Sequence, residues 1–94
     1  MRTVIWEEGF RRALKRLIKK QPSLQAKVIA VLQSLAVDPF NPALKTHKLK
    51  GDLTGLWACT VEYDCRIIFS FQEIAGETES AIMMIDVGNH DDVY

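Results

Sequence analysis

The sequence is poor in the residues that usually mark a metal-binding, secreted or membrane protein. Its 94 residues include two cysteines, Cys59 and Cys65, and two histidines, His47 and His90. A structural zinc site needs four ligands at tight spacing, so these scattered residues predict no metal site and no cofactor. No apolar run approaches the roughly 20 residues of a membrane span, and charges from Glu7 onward interrupt any signal-peptide pattern. We therefore expect a cytoplasmic protein with free thiols and no membrane partner.

Basic residues are almost absent from the second half of the chain. Residues 51–94 contain one, Arg66, against nine acids, whereas residues 1–50 contain eleven lysines and arginines against three acids. The net charge of zero therefore combines +8 in one half with −8 in the other. This asymmetry suggests contact with a polyanion or a charged protein, although a solvated helix face is the simpler explanation for the helical lysines alone.

Length and composition indicate one small globular domain over residues 1–94. Hydrophobic residues make up 48% of the chain and charged residues 26%, which is typical of a folded protein and not of a disordered one. A chain of this length is near the lower limit for a self-sufficient hydrophobic core. We find no internal repeat, linker or low-complexity segment that would divide it.

Two helices are predicted in the first half from the spacing of apolar residues. After a short strand at residues 2–6, apolar residues recur every three or four positions up to Lys20, and lysines and arginines fill the positions between them. Gln21-Pro22 interrupts this pattern, and Pro22 or Ser23 opens a second helix. Asp38-Pro39 and Asn41-Pro42 end that helix. Helices joined by so short a turn should be antiparallel neighbours.

The second half is organised around a predicted β-hairpin. Residues 56–63 and 66–71 are rich in aromatic and β-branched side chains, and the tip between them contains Asp64. Successive side chains of a strand point to opposite faces, so Thr60 and Arg66 belong to one mixed face. Alternation assigns the other, mainly apolar face to Trp57, Cys59, Val61, Tyr63, Ile67, Phe69 and Phe71.

These elements together predict a two-layer α+β fold. A short edge strand or extended loop is expected at residues 43–50, a second hairpin loop at residues 73–79, and an inner strand at residues 80–87. The N-terminal strand joins a mainly antiparallel sheet, and the antiparallel helical hairpin packs on one face of it. The opposite face stays partly open, and its polar residues are Thr60 and Arg66, with His47, Asp64 and His90 at the rim.

Polar side chains from three segments form a candidate site on that face and its rim. Histidine exchanges protons near neutral pH, lysine and arginine bind phosphate, and tyrosine stacks on a base. Such a set suits metal-free RNA cleavage, in which the 2′-hydroxyl attacks the adjacent phosphorus and a second group protonates the leaving 5′-oxygen. The residues concerned are His47, Lys48, Lys50, Asp64, Arg66, His90, Asp91, Asp92 and Tyr94.

Each of these residues taken alone also has a structural explanation. His47 beside lysines is more often an exposed strand residue, and Asp64 is the residue type that a hairpin turn favours. Arg66 could form an exposed ion pair worth ~0–1 kcal/mol, and His90 could bond to local backbone. Only the combination favours a functional site.

Four short motifs carry a resemblance to a known family. They lie at residues 48–51 (KLKG), 55–57 (GLW), 63–69 (YDCRIIF) and 88–94 (GNHDDVY). In this order and spacing they resemble the RelE/ParE superfamily of bacterial toxins, and they are most similar to its YafQ-like and RelE-like ribonuclease branch. The resemblance covers the whole chain.

The resemblance implies a toxin of a type II toxin–antitoxin system that cleaves mRNA, commonly in the ribosomal A site, and stops translation. It implies a small antitoxin as partner and no direct DNA binding by the toxin alone. His90 would be the principal acid or base, Arg66 would stabilise the phosphate, and Asp64 and His47 would be a second proton-transfer or orienting pair. The remaining assignments are Tyr94 for base stacking or leaving-group protonation and Lys45, Lys48 and Lys50 for the RNA backbone.

Two departures from the family pattern leave alternatives open. YafQ-like proteins carry a further histidine where this chain has Thr60, which weakens any scheme that needs three histidines. A net charge of zero is also less basic than is usual for proteins that act on ribosomal RNA. The alternatives are a ParE-like toxin that inhibits DNA gyrase and a catalytically degenerate member that only binds antitoxin.

Overall fold

Two helices and five strands form the part of the chain that the computed structural model describes, residues 1–89. Two short 3₁₀ turns, Pro42–Leu44 and Gly51–Leu53, flank the second strand. This order confirms the predicted α+β fold with an N-terminal strand and a helical hairpin. The elements are β1 (Val4–Trp6), α1 (Glu8–Lys20), α2 (Leu24–Val37), β2 (His47–Lys48), β3 (Trp57–Glu62), β4 (Cys65–Gln72) and β5 (Ala81–Gly88).

The five strands form one mixed sheet in the order β1-β5-β4-β3-β2. β1 is parallel to β5, and the other neighbours are antiparallel. The parallel pair is held by backbone hydrogen bonds, among them Ile82 N–H to the Thr3 carbonyl at 2.8 Å and Glu7 N–H to the Met84 carbonyl at 3.1 Å. The prediction that the last strand lies inside the sheet is confirmed, because β5 separates β1 from β4.

The two helices differ sharply in charge. α1 has Glu8 in its first turn and Lys19 and Lys20 in its last turn, as the helix dipole favours. α2 carries a single charge, Lys27, whose Nζ lies 2.6 Å from Glu62 Oε2 on β3. Among residues 1–89, no helix combines the length and the apolar character needed to cross a bilayer.

The main core lies between the helical hairpin and one face of the sheet. Residues of both helices pack there against alternate residues of β3, β4 and β5. The side chains with no exposed surface include Phe10 of α1, Val28 of α2 and Phe69 of β4. Their burial is the main contribution to folding, at ~25 cal/mol for each Å² of apolar surface removed from water.

The sheet face turned away from the helices, here called the open face, is only partly covered. Ala58 and Ile68 are buried but lie outside the main core, whereas Thr60 and Arg66 are half-buried. The placement of Tyr63 on the apolar face is wrong. Tyr63 lies in the hairpin turn and is 96% exposed, because the pairing of β3 with β4 shifts register between Thr60 and Glu62.

Candidate functional site

Strand pairing aligns two rows of residues across the open face. The side chains of directly paired residues point to the same side of a sheet, so each row shares one face. The longer row crosses four strands. The shorter row is displaced from it by two residues, toward the C-terminal end of β3 and the N-terminal end of β4. The first row is His47, Ala58, Ile68 and Asp86, and the second is Thr60, Arg66 and Gly88.

Arg66 lies between the hairpin tip and the end of β5. Its backbone partners are Thr60 on β3 and Gly88, the last residue of β5. Asp64 is exposed in the turn two residues before it. The structure thus brings Thr60, Asp64 and Arg66 to the end of the sheet from which the chain continues toward His90.

The predicted C-terminal residues of the site lie outside the described part of the chain. This applies to His90 and Tyr94, and to Asp91 and Asp92 between them. Their roles therefore remain predictions.

His47 begins the longer row on the edge strand β2. Its Nδ1 lies 2.9 Å from the carbonyl oxygen of Lys45. A carbonyl only accepts, so Nδ1 carries the proton and Nε2 carries the lone pair of the neutral ring. Two strand spacings and two residues separate His47 from Arg66, which corresponds to about 12 Å between their Cα atoms.

The three predicted RNA-binding lysines are exposed and lie on or beside the edge strand β2. Lys45 is exposed and has a left-handed backbone with φ 52°, and Lys50 is exposed before the second 3₁₀ turn. The Nζ of Lys48 lies 5.4 Å from the centroid of the Trp57 ring. Lys48 therefore points to the helix side of β2, whereas His47, its neighbour in the strand, belongs to the open face.

Three charged residues near this site were missed by sequence reasoning. Asp86 completes the longer row and is half-buried, and its Oδ1 accepts the Val87 N–H at 2.8 Å. Arg16 and Lys20 of α1 line a cleft of about 200 Å³ together with the end of β5. A carboxylate within the otherwise apolar run of β5 was the available signal for Asp86. No local pattern places α1 beside the end of β5.

The two cysteines belong to the core and not to the site. Both are free and buried, as predicted for the thiols. Burial raises the pKa of Cys59 to about 12, and the nearby Cys65 adds to the shift. Burial also raises the pKa of Cys65 to about 11, with smaller contributions from Glu62 and Asp64. Both thiols therefore stay protonated and unreactive at neutral pH.

Solved structures of bacterial toxins share this architecture. YafQ from E. coli strain BL21(DE3) superposes with a TM-score of 0.78 at 18% identity, covering 100% of this chain and 99% of that one. YafQ in the E. coli DinJ-YafQ toxin-antitoxin complex gives 0.76 at 18% identity, with 99% and 97% covered. A metal-bound toxin from Helicobacter pylori gives 0.70 at 25% identity, with both chains fully covered.

The family itself is shown by sequence. Residues 2–94 match the family described as the bacterial toxin of type II toxin-antitoxin system, YafQ. The chain therefore belongs to the YafQ toxin family. A comparison with curated protein sequences finds no match. Among residues 1–89, no group of three histidine, cysteine or acidic side chains is arranged to hold a metal ion.

Proposed function

We propose that this toxin is an endoribonuclease that cleaves mRNA without a metal ion, acts in the ribosomal A site and thereby stops translation. The observation that carries the proposal is the position of Arg66. It is the one cation on β3, β4 and β5, and it lies in the open-face row that ends at Gly88, two residues before His90. A guanidinium there is suited to hold a phosphodiester and to stabilise the charge that grows on it.

The reaction breaks one phosphorus–oxygen bond and forms another. The 2′-oxygen attacks the adjacent phosphorus while a base takes its proton, and the bond to the 5′-oxygen breaks while an acid protonates that oxygen. The products are a 2′,3′-cyclic phosphate and a 5′-hydroxyl. His90 is the principal acid or base, and His47 through Nε2, together with Asp64, is the second proton-transfer or orienting pair.

The remaining residues position the RNA. Tyr94 stacks on a base or assists protonation of the leaving oxygen. Lys45 and Lys50 contact the RNA backbone, and Lys48 does so from the edge strand. A cognate antitoxin holds the toxin inactive in the cytoplasm. The structural neighbour in complex with DinJ supports this partner.

The decisive experiment maps the cut ends of a defined mRNA after incubation with antitoxin-free protein. One arm contains programmed ribosomes, and a ribosome-free arm contains EDTA. We expect cleavage on ribosomes with 2′,3′-cyclic phosphate ends. Growth arrest by a protein that cleaves RNA in neither arm contradicts the proposal and directs attention to gyrase.

Removal of His90 provides the most direct test of the chemistry. His90→Ala should lower the cleavage rate by on the order of 10²-fold, the usual contribution of a positioned acid or base. His90→Gln is the matched variant that keeps a polar side chain without a proton-transfer group. Cleavage at the unsubstituted rate by both variants removes His90 from the mechanism.

A further inference from the structure

The solvent-exposed face of α2 carries no charge. Residues three, four and seven positions apart lie on one stripe of a helix, and five exposed residues of α2 have this spacing. The exposed positions of α1, in contrast, are all charged apart from Gly9. The stripe on α2, here called the neutral face, consists of Ala26, Ile29, Ala30, Gln33 and Val37.

Exposed apolar bulk is concentrated on and beside the neutral face. Within residues 1–89, five large apolar side chains are exposed, and two of them, Ile29 and Val37, belong to this face. A third, Phe40, follows three residues after Val37. Val37 is 67% exposed at the last position of the helix. Apolar side chains clustered in this way are typical of a surface that another molecule covers.

A shallow groove lies along the C-terminal half of the neutral face. It has a volume of about 400 Å³ and is open to solvent. Its walls include the small side chains of Ala30 and Ser34, which leave room between Gln33 and Val37. The lining residues are Ala30, Gln33, Ser34, Val37, Asp38 and Asn41. Ile29, one turn before Gln33, is a branched apolar side chain of suitable size to enter such a groove.

Two opposite charges flank the neutral face on the same side. Lys27 lies in the first turn of α2 and Asp38 is its C-cap. Eleven residues separate them, which corresponds to about 20° around the helix, so both lie on one flank. Their midpoint along the helix lies beside Gln33. A two-fold axis at that point would therefore bring Lys27 of one copy beside Asp38 of another.

Lys27 can serve two carboxylates in such an arrangement. Its Nζ lies 2.6 Å from Glu62 Oε2, and an ammonium group has three N–H donors. Asp38 is exposed, and its Oδ1 accepts the Phe40 N–H at 3.0 Å. This hydrogen bond holds the carboxylate in place at the end of the helix.

We propose that a second copy of this chain binds the neutral face, with the two α2 helices packed antiparallel about a two-fold axis beside Gln33. Ile29 of each copy then lies level with Val37 of the other and enters the groove next to it. A two-fold contact brings each surface against its own copy, so the charged face of α1 would repel itself whereas the neutral face does not. The proposal depends neither on RNA cleavage nor on the antitoxin.

The size of the neutral face predicts a weak dimer. From Ala26 to Val37 it extends about 17 Å along the helix axis, and a helix is about 10 Å wide. Such a contact covers less than the about 800 Å² that each partner contributes to a standard stable interface. We therefore expect reversible association in the micromolar range.

Cysteine cross-linking tests the position of the two-fold axis. Gln33→Cys places the two new thiols next to each other, so a mild oxidant should yield a disulfide-linked dimer on a non-reducing gel. Gln25→Cys is the matched control, since it is also exposed on α2. Its two copies would be about 24 Å apart along the helices, too far for a disulfide. The native Cys59 and Cys65 are buried and should not contribute.

Analytical ultracentrifugation of the antitoxin-free protein measures the association itself. Val37→Glu should weaken the dimer at least about tenfold, because it buries an unpaired carboxylate against an apolar side chain. Tyr63→Glu adds the same charge at an exposed residue of the hairpin turn and should change the dissociation constant less than twofold. Both positions are exposed, so both variants should fold.

The remaining outcomes contradict the proposal. A protein that stays monomeric up to millimolar concentration rejects the dimer, and equal disulfide yields from Gln33→Cys and Gln25→Cys reject the axis. A dimer that Val37→Glu does not weaken uses another surface. A monomeric protein that loses its cognate antitoxin on Val37→Glu assigns the neutral face to the antitoxin. None of these results changes the outcome of the mRNA cleavage experiment.

Discussion

The two faces of β4 show how one strand separates apolar packing from charge. Ile67 and Phe69 point toward the helices and are fully buried, whereas Arg66 and Ser70 lie on the open face and are half-buried. Because side chains alternate, residues adjacent in sequence have separate surroundings. The helix-facing side can be optimised for packing while the open face carries charge.

Truncation of a core side chain on the helix-facing side of β4 should have the largest effect on the free energy of unfolding. Phe69→Ala removes a ring with no exposed surface that packs against Phe71 at 5.6 Å between centroids. We expect a loss of ~3–5 kcal/mol in the free energy of unfolding, measured by urea denaturation. Ser70→Ala, next in sequence but on the open face, should cost under ~1 kcal/mol. Similar losses in both variants contradict the assigned division between the faces.

Removal of the open-face cation should show the converse behaviour. Arg66→Ala should lower mRNA cleavage by on the order of 10²-fold, because a donor to the charged phosphate is lost. Its free energy of unfolding should change by less than ~1 kcal/mol. Arg66→Lys keeps the charge but not the planar fork and should recover only part of the rate. An Arg66→Ala protein that cleaves normally rules out the phosphate-binding role.

His47 should have a smaller effect on the rate and a distinct effect on its pH dependence. His47→Gln should reduce kcat about tenfold and remove one limb of the pH–rate profile, since glutamine does not exchange protons near neutral pH. Lys45→Ala is the matched control. It keeps the backbone carbonyl that orients the imidazole and should mainly raise KM. An unchanged pH profile in His47→Gln argues for a purely orienting side chain.

The buried thiols test the helix-facing side through the pH dependence of the free energy of unfolding. Burial raises the pKa values of Cys59 and Cys65 to about 12 and about 11, above the 9.0 of an unperturbed thiol. Between pH 9.0 and these raised pKa values, the unfolded chain loses thiol protons that the folded chain keeps. The contribution of the thiols to stability should therefore be constant below about pH 9 and fall as the pH rises toward 11 and 12. The double variant Cys59→Ala with Cys65→Ala should show a smaller decline over this interval in urea titrations.

Much of the fold was predictable because its signals are local. The apolar period of α1, the break at Pro22 and the alternation of β4 each involve residues close in sequence. Most boundaries differed by one or two residues; β1, for example, begins at Val4 and not at Arg2. The edge strand expected within residues 43–50 is confined to His47–Lys48. The failure at Tyr63 has a physical reason, since the register shift beside Glu62 depends on how two strands pair.

The positions of Asp64 and Arg66 were predictable one by one, but the arrangement around them was not. Turn preference placed Asp64 at the hairpin tip, and alternation placed Arg66 on the open face. Nothing local showed that Gly88 pairs with Arg66, that Asp86 completes the row from His47, or that Lys48 lies over Trp57. Each of these facts depends on the register between strands that are distant in the chain.

The sequence by itself determined the elements, their apolar faces and the family to which the chain belongs. Only the tertiary structure decided the strand order and the row through Arg66. The physical reason is the range of the interactions. Helical and strand periodicity arise within a few residues. The sheet register arises from hydrogen bonds and packing between segments distant in the chain, as in the contact of Arg2 with the Ser80 carbonyl, 78 residues away.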